Sequence, residues 1–169
     1  MKIILHPHYE SLRSFVETIH QNFTQGKEIY KGRNSIRVFR VGDLELNVKQ
    51  YCRPNLFNRF VYSFLRAPKG LRAYRYPQRI IEAGFETPTP VAYVELRRGG
   101  LIDVSYFISL QCPYSRRFYE FGNAELTPEL CDISRAFARF TAGLHRADIL
   151  HLDYSPGNVL FDRVNGEWR

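Results

Sequence analysis

Ile149-Leu-His151-Leu-Asp153-Tyr-Ser-Pro-Gly-Asn158-Val-Leu-Phe161 is the stretch on which the reading of this 169-residue chain turns. It carries the spacing H-x-D-x-x-x-x-N and runs directly into a short apolar segment. A carboxylate that accepts or orients the proton of an attacking hydroxyl, with an amide oxygen a few residues on for a phosphate-bound cation, is the pattern that phosphoryl transfer uses. A loop that turns back into a strand can present both groups toward one cleft. Ser155-Pro156-Gly157 supplies that turn and Asn158-Val-Leu-Phe161 reads as the returning strand. The competing reading is a surface Asp and a turn Asn, both common in loops.

Upstream of this stretch, Thr127-Pro128 opens a long helix through Leu144, with Leu130, Ile133, Phe137, Phe140 and Leu144 at helical spacing. Val91–Leu96 and Leu101–Ser109 flank Arg97-Arg-Gly-Gly100, a hairpin signal. Leu110–Tyr114 reads as the hinge out of that hairpin. Nearer the N-terminus, Lys27–Lys31, Ile36–Val41 and Leu44–Tyr51 read as an antiparallel meander, with Gly42-Asp43 as one turn and Gly32-Arg-Asn-Ser35 as the other. Leu12, Phe15, Val16 and Ile19 mark a core-facing helix over Tyr9–Asn22. Lys69–Ala83 reads as another helix, ended by Gly84 and either starting near Pro77 or kinked there.

Between the meander and that helix, Pro54–Arg66 places Phe57, Phe60, Val61, Phe64 and Leu65 on one helical face with Arg59 and Arg66 at its margins. Packing on the sheet is the preferred reading, and an interfacial helix in a headgroup layer is the rival. No acidic residue occurs from Leu46 to Ile81, a span holding Lys49, Arg53, Arg59, Arg66, Lys69, Arg72, Arg75 and Arg79, within a net charge of +7. Such a block fits either an anionic partner or a solubilising face. Cys52, Cys112 and Cys131 show no metal-ligand spacing, which suits a reduced, cytoplasmic setting. The apolar part of Met1–Pro7 is too short for a signal peptide, and nothing approaches the roughly 20 apolar residues of a membrane span. The expectation is a soluble or peripheral protein.

The order of these elements, with Ala83-Gly84-x-x-Thr87-Pro88-x-Pro90 and Gly143-Leu-His145-x-x-x-Ile149-Leu-His151-x-Asp153-x-Ser155-Pro156-x-Asn158, resembles the lipopolysaccharide core kinases, the Kdo/heptose kinase family. The resemblance covers about residues 27–163. It implies an α+β, protein-kinase-like fold: an antiparallel five-stranded N-lobe with inserted helices over 1–110, then a hinge and the start of a helical C-lobe over 111–169. It implies ATP and Mg²⁺ as cofactors and a lipid-linked anionic sugar as acceptor, worked on at the inner face of the cytoplasmic membrane. By position, Asp153 is then the catalytic base and Asn158 the metal ligand. Lys49, on the third strand of the meander, holds ATP phosphates, with Gly32 and Ser35 in the turn that covers them. His151 braces the loop, His145 is structural, and Arg53, Arg59, Arg66, Lys69 and Arg72 face the anionic acceptor or membrane.

Two positions depart from the family. The place for a glutamate to pair with Lys49, eight or nine residues before Gly84, holds Arg75 and Tyr76, and Glu82 is that helix's one acid. The second metal-binding Asp should follow a strand after Asn158, and the chain ends at Arg169 before it, as if truncated. A helical part cut short there would leave Leu130, Phe137 and Phe140 under-covered. Alternatives are the same fold with a small soluble or protein acceptor, or a non-catalytic module binding nucleotide or membrane. Nucleic acid is not the expected partner, because the basic residues follow no recognised DNA or RNA motif.

Overall fold

The meander forms by simple alternation. In the computed structural model, which describes residues 1–122 and 124–169, β2 (Lys27–Lys31), β3 (Ser35–Val41) and β4 (Leu44–Tyr51) are antiparallel neighbours. β5 (Pro90–Arg98) and β6 (Leu101–Leu110) close through Gly99-Gly100, whose positive φ values of 59° and 77° make the hairpin turn a place for glycine. The expected five strands are six. Lys2–Leu5 adds β1 at the edge beside β5, giving the order β1-β5-β6-β4-β3-β2.

Helices cover both faces of this sheet. Leu46 and Val48 of β4, in register with Leu110 and Ile108 of β6, point to one face. Helix α1 (Arg13–Asn22) covers that face with Val16 and Ile19, both fully buried. Burial of such side chains stabilises the fold by roughly 1.5–3 kcal/mol each. The α-helix starts later than Tyr9, because Pro7–Leu12 winds as a 3₁₀ segment. On the other face, α3 (Lys69–Glu82) packs Leu71 and Tyr74 against Tyr93 and Phe107. α3 starts well before Pro77, which lies inside it, and ends at Ala83, with Gly84 N–H donating to Ile81 O and Phe85 N–H to Ile80 O, a Schellman closure. Covered from both sides, Val91–Glu95 of β5 is buried without alternation.

The chain divides into two compact units, Met1–Gln111 and Cys112–Arg169. In the second, β7 (Arg116–Arg117) pairs with β8 (Leu160–Phe161). Helix α4 (Pro128–Arg146) begins at Thr127, whose hydroxyl accepts from Leu130 N–H. Leu130, Ile133 and Phe161 form its core with Phe118, Phe121 and Trp168. Leu130 is therefore well covered, whereas Phe140 is 38% exposed and leaves the expected buried stripe. A small hairpin, β9 (Arg163–Val164) with β10 (Glu167–Trp168), turns at Asn165-Gly166.

Candidate functional site

The His151–Asn158 loop is braced from within and from below. Asp153 N–H donates to His151 Nδ1 (3.3 Å), and the His151 ring stacks on Tyr154 with centroids 4.6 Å apart. Tyr154 in turn meets Phe137 of α4 edge-on at 5.2 Å, and its hydroxyl lies 3.3 Å from Thr141 Oγ1. The loop closes where Asn158 N–H donates to Ser155 O (2.9 Å) and Asn158 Nδ2 to Asp153 O (3.2 Å). This leaves the Asp153 carboxylate exposed and the Asn158 amide oxygen as that side chain's acceptor. Gly157 sits where a Cβ would come within 3.3 Å of the Tyr119 hydroxyl. Val159 O accepts from Phe118 N–H (3.2 Å), handing the chain on to β8.

Below the loop, Arg116 ties the second unit together. It donates to Glu120 and Glu129, and its guanidinium lies 5.0 Å from the Phe161 ring centroid and 5.2 Å from that of Trp168. Asp162, just after β8, accepts from Ser115 and from Arg163 N–H, and these bonds hold its carboxyl below the ordinary value.

In the first unit, Lys49 stands on the α3 face of the sheet, in register with Ile36 and Phe107. Its Nζ lies 5.4 Å from the Tyr51 ring centroid. Burial pushes the Tyr51 hydroxyl up to about 12, against a smaller opposite pull from Arg72. The Gly32–Asn34 turn is tied to this end of β4, because Cys52 N–H donates to Asn34 Oδ1 (3.2 Å). A Cβ on Gly32 would lie 2.6 Å from the Tyr30 hydroxyl.

Two of the expected residues are placed otherwise. Ser35 pairs with Gln50, so strand alternation sets it on the face opposite Lys49. There it lines a cleft of about 220 Å³ with His20, Lys31, Arg37, Gln50 and Tyr106. Arg59 is buried at 5% exposure: its Nε donates to Ile102 O (2.7 Å) and its Nη2 to Arg98 O (3.1 Å). It serves the fold and offers no open face to an anion. Arg53 stands 2.7 Å from Asp103, Arg66 and Lys69 are exposed, and Arg72 is half-buried on α3.

Glu95 escaped the sequence reading. It is 1% exposed on the Lys49 face of the sheet, accepting from the Tyr93 hydroxyl (2.7 Å) and Arg97 Nε (2.6 Å). Burial, then this carboxylate, raises the Tyr93 hydroxyl above its ordinary value. Tyr, Glu and Arg at alternate positions of one strand are the signal that could have found it. Glu82, the acid of α3, lies exposed at that helix's far end.

No family profile matches the chain, and no curated protein is similar to it at a significant level. Among solved structures, that of WaaP in complex with acyl carrier protein is similar, at 18% identity and a TM-score of 0.51. The likeness covers 86% of this chain and 57% of that one, so the present chain spans little more than half its length. At such identity the likeness bears on the fold alone.

Proposed function

We propose that this chain belongs to an ATP- and Mg²⁺-dependent phosphotransferase that phosphorylates a sugar hydroxyl, Kdo or heptose, of the lipopolysaccharide inner core, at the inner face of the cytoplasmic membrane. The observation that carries the reading is the braced loop, with Asp153 exposed and Asn158 Nδ2 committed to Asp153 O, which leaves the amide oxygen as that side chain's acceptor. The kinase-like fold supports it, as does the likeness to WaaP, a lipopolysaccharide core heptose kinase. Asp153 orients the acceptor hydroxyl and takes its proton, and Lys49 with the Gly32 turn holds the phosphates. The donor set suits a hard cation: Asn158 would hold Mg²⁺, which neutralises charge on the transferring phosphoryl group. Among the described residues no three or more His, Cys, Asp or Glu side chains group into a metal site. Mg²⁺ commonly takes its remaining ligands from phosphates and water.

A thermal melt with and without MgATP tests this. A ligand bound only by the folded chain at a hundredfold excess over its Kd stabilises it by about 2.7 kcal/mol. Wild type should shift upward, Lys49→Ala should not, and Asp153→Asn should shift like wild type while phosphate transfer to lipopolysaccharide core falls about 10²–10⁴-fold. Absence of any wild-type shift refutes the nucleotide site. One observation favours a second reading, a non-catalytic nucleotide-binding module: Arg75 and Tyr76 occupy the place of a glutamate partner for Lys49. A Lys49-dependent shift without any transfer would select it.

A further inference from the structure

Leu56, Phe57, Phe60, Phe64 and Leu65 are 73%, 75%, 52%, 62% and 73% exposed. All lie on one short segment, α2 (Leu56–Phe60) continued by a π-helical turn over Val61–Leu65. At about 1.5 Å per residue, this is an apolar ridge roughly 15 Å long. Isolated exposed apolar side chains are ordinary, but a contiguous set marks a surface that meets something.

The ridge is firmly mounted. Asn55 caps it by accepting from Asn58 N–H (2.9 Å). Arg59, on the inner side, grips Ile102 O and Arg98 O. Ser63 Oγ accepts from Ile102 N–H (2.9 Å) and donates to Arg59 O (2.6 Å). With the one charged residue of α2 turned inward as an anchor, the outer side is left to phenylalanine and leucine.

We propose that this ridge is a docking surface for an anionic lipid bilayer. Charge complementarity selects the occupant. Arg66 and Lys69 follow the ridge directly and are exposed. No acidic residue lies between Leu46 and Ile81 in the sequence, and Asp103 of β6, which approaches Arg59, is paired with Arg53. Aromatic and leucine side chains with arginine and lysine at their border are what an interfacial helix brings to the headgroup and acyl boundary. The apolar side chains project from a ridge, and a fluid acyl layer receives such a shape without a matching groove. The proposal stands on the first unit's surface and does not depend on phosphate transfer.

Vesicle co-sedimentation of the whole chain tests it. The lipids are phosphatidylcholine alone and phosphatidylcholine with one part in three phosphatidylglycerol. Wild type should sediment with the anionic vesicles. Phe57→Ser/Phe64→Ser should keep the wild-type circular dichroism and bind weaker by about tenfold per phenylalanine removed. Arg66→Glu/Lys69→Glu should lose the preference for anionic lipid, by about fivefold or more per charge. Failure of wild type to sediment with anionic vesicles overturns the proposal, as does a phenylalanine variant that binds like wild type. It is equally overturned if the serine substitutions abolish self-association, or binding of purified acyl carrier protein, while vesicle binding is unchanged.

Discussion

Replacing Arg59 with methionine should cost far more than the same change at Arg66, although both arginines border one helical face in the sequence. Arg59 is 5% exposed and donates to two main-chain carbonyls, Ile102 O at 2.7 Å and Arg98 O at 3.1 Å. Its Nη2 also lies 3.8 Å from Asp103. Hydrogen bonds from a charged donor contribute about 1.5–3 kcal/mol each, and the carbonyls they served would be left without a partner. Against this, the variant no longer has to dehydrate a guanidinium, a term of several kcal/mol. A net loss of about 3 kcal/mol remains after that offset. With a urea slope of about 1.5 kcal/mol per molar for a unit of this size, the midpoint should fall by about 2 M. Far-UV circular dichroism is the readout, because the single tryptophan, Trp168, reports on the other unit. Arg66→Met, at an exposed position, should stay within about 0.5 kcal/mol of wild type. If the two variants unfold at the same urea concentration, Arg59 is not the anchor described here.

Gly70 faces a similarly strict test: a Cβ there would lie 2.8 Å from Tyr93 Cε2 and 3.2 Å from both Ser105 Oγ and Tyr51 Cε2. Gly70→Ala should destabilise by about 1–3 kcal/mol despite alanine's better helix propensity, and an unchanged urea midpoint would refute the close packing of α3 on the sheet. The raised Tyr51 hydroxyl, at about 12, sets a pH dependence. The folded chain keeps a proton that the unfolded chain releases near pH 10, so this contribution is full below about pH 10 and is lost as pH rises toward about 12. The urea midpoint should be lower at about pH 11 than at about pH 9, by less in Tyr51→Phe than in wild type, and an equal drop in both would refute the assignment to Tyr51. Arg116→Ala should loosen the packing around Trp168, shifting its emission to the red and costing about 1–2 kcal/mol. Unchanged emission would show that Arg116 does not hold that ring.

What the sequence made legible follows from the range over which each feature is determined. β3 and β4 alternate apolar and polar residues around a Gly42-Asp43 turn, so local pattern alone reveals them. β1 was missed because Lys2-Ile-Ile-Leu5 is short and does not alternate, and only its pairing with β5 makes it a strand. Arg59 was misplaced because helical spacing says which residues share a face and does not say which face is inward. There the decision belongs to the carbonyls of Arg98 and Ile102, about forty residues on in the chain. The same distinction divides the candidate site. Asp153 and Asn158 are five residues apart in one loop, so their spacing was readable and their mutual hydrogen bond follows from it. Ser35 and Lys49 were grouped by resemblance, yet the pairing of Ser35 with Gln50 puts them on opposite faces, and no single-strand pattern contains that register. Glu82 lies at the far, exposed end of α3, and the oxygens of Glu95 accept from Tyr93 and Arg97. The His151–Asn158 loop carries the proposed function, and stabilisation of the chain by MgATP through Lys49 is its test on the other unit.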